Sequence, residues 1–352
     1  MKLIMKLLYL FSGTRKGKFT GTPGINYPDT QLYGLNHLKQ FGIEAETKEW
    51  TDVIRSTWLQ KFFGFRLRHF IMFFATRRYD MVFGSSLLYL MILKKIFRPK
   101  TKYILFNLGI TRTIATHRTH KFCSWALHSL LKEFAGVVCL AHVQKAYLEQ
   151  HCPYLRGKVF YVPLGVDTKY YQPKFSGRND RILSAGRDNG RDYKTLIDAA
   201  RLLPNRQFDI VCSQRNLVGV TDIPNNVTVH FDLPITKLRE LYDTAQLLVL
   251  STHDDTWLDG SDCSGQTVLL DAMASGIPVI ATRKKYLNDY VVPGKEALVV
   301  DCYKPEQIAY AIRELEDPAR RQSLAESDRA KVEKEFYTVQ MAKQLAEVFK
   351  KL

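Results

Sequence analysis

The sequence predicts an α/β protein built on two doubly wound parallel sheets. Short apolar runs alternate with helical patterns along the whole chain, and βαβ units produce that alternation. The length of 352 residues favours two domains over one. A stretch rich in Pro, Gly and polar residues, VPLGVDTKYYQPKFSGRND at 162–180, separates two such series and reads as an interdomain linker.

The first series opens with MKLIMKLLYLF. This apolar run is short and leads into a glycine-bearing turn, so residues 7–11 read as a first strand and not as a cleavable signal. A helix is expected over 30–41, closed by Gly42, with further strands at 81–83, 103–106, 137–140 and 159–162. The second series starts at Arg181, with strands expected at 182–185, 208–212, 227–231, 247–250, 279–281 and 297–300. Helical patterns lie between them at 194–203, 238–244, 267–274 and 305–315. A last helix is expected at 338–352, with apolar positions at 341, 345, 348 and 349. Two open α/β domains of this kind place a cleft between the carboxyl ends of their sheets, where such folds bind ligands.

The apolar fraction of 46% suffices for packed cores and excludes a disordered chain. Charge is unevenly spread: residues 1–170 carry 26 Lys and Arg against 9 Asp and Glu, whereas 171–352 carry 25 against 26. The net charge of +16 therefore belongs to the N-terminal half. Such asymmetry suits an anionic partner: a membrane surface, nucleic acid or an acidic substrate. No recognition helix, zinc spacing or RNA-binding aromatic motif accompanies it, so nucleic acid is not expected as the partner. The six cysteines are scattered and form no C-x-x-C pair, which fits a reducing cytosol and gives no metal site. No apolar stretch reaches the roughly 18–20 residues that span a bilayer.

Two passages carry the chemistry. GRDNGRDYKTLIDAARLLP begins at Gly186, directly after an expected strand, and SDCSGQTVLLDAMASGIPVIATR runs from Ser261 to Arg283. In the second, a polar loop with Gly265 runs into a helix, and backbone N–H groups at a helix N-terminus bind anions. Glycine there lets a ligand approach the backbone. With PLGVDTKYYQP and DYVVPGKEALVV, these motifs resemble, in order and spacing, the donor-binding domain of retaining glycosyltransferases of the GT-B fold, the family 4 group. The resemblance covers residues 137–352 well and the N-terminal half only in outline.

That resemblance implies two Rossmann-like domains: an acceptor-binding domain over 1–165, a linker at 166–178, and a nucleotide-sugar domain over 179–337. The helix 338–352 would return to the first domain. Arg187 and Arg191 would stabilise the departing diphosphate; Arg191 stands where the family usually has Lys, and Arg can hold two phosphate oxygens. Gly186, Ser264, Gly265, Gln266 and Thr267 would contact the donor, and Asp271 would bind ribose hydroxyls where the family places Glu. The family's Glu-x7-Glu motif has Cys263 at its first position here. Asp262, other acids of the loop (Asp254, Asp255, Asp259) or Gln266 would take that role. Gly24 in a glycine loop and Asn107, where the family often has His, are further candidates for donor contact. No catalytic base is assigned, because such enzymes are thought to let the leaving phosphate draw the acceptor proton. The cosubstrate would be a UDP- or GDP-sugar, with no other cofactor and no metal.

RSTWLQKFFGFRLRHFIMFFATRR at 55–78 mixes aromatics and cations. Trp58, Lys61, Phe62, Phe63, Arg66 and Arg68 are expected to contact an anionic membrane from an interfacial helix, each cation adding about 1 kcal/mol; a largely buried helix with a basic rim is the alternative. The expectation is a transferase on the cytoplasmic face of a membrane, using a lipid-linked saccharide or glycolipid in polysaccharide or glycan synthesis. A soluble transferase for a small acidic acceptor and an inactive protein of the same fold are the alternatives.

Overall fold

The computed structural model describes residues 5–13, 22–50, 64–174 and 178–352, with no side-chain detail for 64–66. The chain forms two compact units. The first holds the described residues up to Gly13, then Leu32–Pro163 and Val339–Leu352. The second holds residues 22–31 and Leu164–Thr338.

In the first unit a parallel six-stranded sheet has the order β2-β1-β3-β4-β5-β6. Its strands are β1 (Lys6–Phe11), β2 (Glu44–Glu49), β3 (Met81–Gly84), β4 (Lys102–Asn107), β5 (Gly136–Cys139) and β6 (Val159–Tyr161). Its helices are α1 (Gly64–Thr76), α2 (Leu88–Phe97), α3 (Ile110–His117), α4 (Lys121–Leu131) and α5 (His142–His151). The inner strands are apolar because helices cover both faces of a parallel sheet. β2, EAETKE, carries no apolar run and lies at the sheet edge, where charged side chains discourage further pairing.

The helix expected over 30–41 is two 3-10 segments, Asp29–Leu32 and Leu35–Phe41. Gly34 breaks them with φ +75°, and a Cβ there would meet the Ala342 backbone at 2.9 Å. Ala342 lies on α11 (Thr338–Lys351). Gly34 therefore lets that helix lie close, and Phe349 packs edge-on against Phe83 at 5.4 Å.

The second unit repeats the architecture with strand order β12-β11-β10-β7-β8-β9, all parallel. The strands are β7 (Ile182–Ala185), β8 (Phe208–Cys212), β9 (Val227–Phe231), β10 (Leu247–Leu250), β11 (Val279–Thr282) and β12 (Leu298–Val300). The helices are α6 (Tyr193–Arg201), α7 (Ile235–Thr244), α8 (Gln266–Ala274), α9 (Pro305–Glu314) and α10 (Pro318–Glu335). α10 is polar nearly all round and shows no apolar stripe. Its start is nonetheless marked, since the Asp317 carboxylate accepts from the Ala319 N–H at 3.0 Å and Pro318 opens the first turn.

Candidate active site

In the second unit, strand order reverses between β7 and β10, which lie side by side. Ligands of doubly wound sheets bind outside the carboxyl ends of the strands at that switch point. The first passage singled out from the sequence leaves β7 as Gly186–Arg191, and the loop 251–260 that leaves β10 leads into the second, Ser261–Arg283. These two loops meet through a backbone bridge between Arg191 and Thr252.

Arg191 is the centre of this arrangement. Its side chain is buried at 3% exposure. One guanidinium nitrogen, Nη2, donates to the Ala185 carbonyl. Nε and Nη1 have no partner. Two glycines make room for it. A Cβ on Gly186 would lie 2.8 Å from Arg191 Nε, and one on Gly265 would lie 2.7 Å from Nη1. Gly186 and Gly265 also have φ of +145° and +87°, so both conformation and space require glycine there.

Gly265 is the N-cap of α8 and provides no capping side chain. Ser264 therefore does not cap the helix. Its buried hydroxyl has no partner. Tyr286 holds the loop by donating to the Ser264 carbonyl at 2.8 Å. Thr267 follows the buried Gln266 in the first turn of α8. Uncapped N–H groups, a spare serine hydroxyl and two spare guanidinium nitrogens together form a cradle of donors. Such a cradle suits the oxygens of a phosphate.

One turn deeper, Asp271 is buried with Oδ1 unpartnered. Burial holds its carboxyl well above the usual carboxylate range, although the Tyr171 hydroxyl beside it pulls the other way. A buried polar atom without a partner costs about 1–3 kcal/mol, so the site gains when a ligand hydroxyl fills it.

The other expected residues stand further out. Arg187 is half exposed and pairs with Asp232 at 3.3 Å, a contact that adds little in solvent. In the acidic loop, Asp254 accepts from the Thr256 hydroxyl and N–H, which hold it below the usual carboxylate range. Asp255 pairs with the buried Lys284 at 3.2 Å, and Asp259 accepts from Asn189 at 3.0 Å. Asp262 is partly buried near Cys263, which is buried at 7% exposure. Among the described residues no group of three His, Cys, Asp or Glu is placed to hold a metal. Gly24 lies in the second unit, where a Cβ would sit 3.5 Å from Asp167 Oδ2.

Asn107 is fully buried in the first unit. Its Oδ1 accepts from Ile110 N at 3.0 Å and its Nδ2 donates to Thr111 Oγ1 at 2.9 Å. The amide fixes the start of α3 and does not face a ligand. Trp58, Lys61, Phe62 and Phe63 lie outside the described residues, and the side chain of Arg66 does too. Arg68 lines a cavity of about 600 Å³ in the first unit. On α1, His69, Met72 and Phe73 are buried, whereas Phe70, Ile71 and Phe74 are exposed.

Sequence reasoning missed the residues that lock the loop. His253 stacks on Trp257 at 3.9 Å, and Trp257 donates to the Asn189 carbonyl at 3.2 Å. Their only sequence signal is aromatic character within a polar loop.

Residues 171–331 match the family described as glycosyl transferases group 1. That match lies within the second unit and covers under half of the chain. A D-inositol 3-phosphate glycosyltransferase of Arthrobacter sp. (strain FB24) is 26% identical over 185 residues, 45% of this chain and 42% of that protein. The match thus spans under half of the relative. Anabaena HepE, solved in complex with UDP-glucose, aligns over 99% of this chain and 100% of its own, with 16% identity and TM-score 0.72. WaaG, a glycosyltransferase involved in lipopolysaccharide biosynthesis, aligns over 97% and 99%, with 15% identity and TM-score 0.67. Two parallel six-stranded sheets flanked by helices, matching these structures, are the GT-B fold.

Proposed function

We propose that this chain transfers a sugar from a nucleotide-sugar donor, a UDP- or GDP-sugar, with retention of anomeric configuration. The observation that carries the reading is the buried Arg191, whose two unpartnered nitrogens face the uncapped start of α8. In this reading the bond from the sugar's anomeric carbon to the β-phosphate oxygen breaks. The new bond to the acceptor hydroxyl forms on the same face, and the hydroxyl proton passes to the leaving phosphate. Arg191 and the α8 N–H groups take up the charge that develops on that phosphate. Arg187 screens it from the rim. Asp271 takes the ribose hydroxyls, and Ser264 and Gln266 take those of the sugar. The UDP-glucose complex of HepE favours UDP.

The acceptor would bind in the first unit and be carried on or near a membrane surface, as in envelope polysaccharide synthesis. Exposed apolar side chains support this: Phe70, Phe74 and Phe97 pack together at 4.8 and 5.4 Å and stay 44%, 37% and 44% exposed. Lys95, Arg98 and Lys100 lie close by in sequence. Aromatics beside cations suit an anionic bilayer interface. No helix among the described residues is long and apolar enough to cross a membrane. Cys263 in place of the first motif Glu supports a second reading, a protein that binds nucleotide but turns nothing over.

The test is incubation of the full chain with UDP- and GDP-sugars, following the anomeric proton by NMR. Release of the sugar with the donor's own configuration is expected. Inverted product would refute retention, and nucleotide binding without any turnover would favour the second reading.

A further inference from the structure

The first unit has its own switch point, where β1 lies between β2 and β3. The 600 Å³ cavity sits there, at the carboxyl ends of the first four strands. Ser12 follows β1, Trp50 follows β2, Ser85 follows β3 and Gly109 follows β4. Arg68 and Tyr89 close the sides.

Three features give the cavity a chemical preference. Among the described residues no Asp or Glu lines it, whereas Arg68 and several hydroxyls do. Arg68 has no carboxylate partner among the described residues, so its charge is uncompensated there. α3 opens on Gly109, and the first N–H of the helix, of Ile110, is taken by the Asn107 amide; Gly109 and Ile110 form part of the wall. Independently, Trp50 is 8% exposed and its Nε1–H has no partner. Its ring packs on His69 at 4.5 Å, and His69 packs on Tyr89 at 5.0 Å. An aromatic wall with a spare N–H donor matches a ring that presents both C–H faces and hydroxyl oxygens. A guanidinium without a carboxylate partner among the described residues matches an oxyanion.

We infer that this cavity selects an acceptor bearing an oxyanion, a phosphate or carboxylate on a hydroxylated ring. Arg68 takes the oxyanion, and Trp50 Nε1 donates to a ring oxygen. The inference rests on the transferase reading, since it names what the acceptor carries. The basic balance of the N-terminal half then draws such acceptors to the unit.

The experiment is calorimetric titration of the full chain with glucose phosphate, inositol phosphate, glucuronate, neutral glucose and inorganic phosphate, and separately with UDP. At least one ring-bearing oxyanion should bind about tenfold or more tightly than glucose. Arg68→Gln should remove that preference and leave UDP binding unchanged. Trp50→Phe keeps an aromatic ring, loses the N–H donor, and should weaken the ring-bearing probe about fivefold. Glucose binding as tightly as the charged rings overturns the inference. So does inorganic phosphate binding as tightly as they do, an unchanged preference in Arg68→Gln, or no binding of any charged ring at millimolar concentration. In each of those cases UDP binding keeps the transferase reading intact. Failure of UDP to bind would sink that reading, whatever the cavity does.

Discussion

Replacing Arg191 with Met separates a ligand site from a structural arginine, because the two roles predict opposite signs. Met roughly preserves the length and apolar stem of the side chain and removes its charge. In the free protein the guanidinium is buried with one hydrogen bond, to the Ala185 carbonyl, and two empty nitrogens. Losing that bond costs about 1 kcal/mol. Removing a poorly compensated buried charge returns about 1–4 kcal/mol. The free variant should therefore be as stable as the wild type or up to about 3 kcal/mol more so. For a unit of this size about 1 kcal/mol moves Tm by roughly 2–4 °C. The ligand response should go the other way. At a hundredfold excess over Kd, UDP should stabilise the wild type by about 2.7 kcal/mol. Two charge-assisted hydrogen bonds to phosphate contribute about 1.5–3 kcal/mol each, so the variant should lose UDP affinity by at least a hundredfold. Differential scanning fluorimetry with and without UDP reads both effects. A variant that is much less stable when free, yet binds UDP as the wild type does, would refute the argument.

Gly265→Ala should abolish UDP binding and destabilise the second unit, since its Cβ would meet Leu250 Cδ1 at 2.5 Å with φ at +87°; thermal melts and titration check both. Asp328, buried in α10 with both carboxylate oxygens unpartnered, is held well above its usual 3.8 by burial and by nearby Glu296. The native state keeps this proton while the unfolded chain releases it above that value, so stability should fall as pH rises from there. Asp328→Asn should be more stable than wild type at neutral pH, with the gain vanishing in acid, as urea melts across pH would show; an equal or larger gain in acid would contradict the sign. Phe70→Ala with Phe74→Ala should weaken binding to anionic vesicles about thirtyfold, from roughly 1 kcal/mol lost per half-exposed ring and about 2 kcal/mol in all; co-sedimentation reads it, and unchanged binding would remove the membrane proposal. Phe349→Ala should cost about 3–5 kcal/mol, because the ring is fully buried against Tyr9 and Phe83.

What could be read from the sequence was what burial writes into composition. The inner strands of both sheets are continuous apolar runs, and Gly186, Arg191 and Gly265 stand out as glycines and a cation in polar loops that follow such runs. β2 was not legible because an edge strand is half solvated and EAETKE has no apolar period. α10 escaped because few of its residues are buried, so only the Asp-Pro start marked it. The site's depth was hidden for another reason. Whether Arg187 or Arg191 is the buried one depends on the close approach of Gly186 and Gly265, and residues about 80 apart in sequence set that geometry. Asn107 occupied the expected place in the sequence, but its amide is consumed inside the first unit. Arg68 read as part of a membrane-facing helix, and only the packing of α1 turns it toward a cavity.

The most direct test is a crystal structure of the chain soaked with UDP. The account predicts phosphate oxygens about 3 Å from Arg191 Nε or Nη1 and from N–H groups at the start of α8, with the ribose hydroxyls on Asp271. Phosphates bound elsewhere, with those two nitrogens still unpartnered, would contradict it.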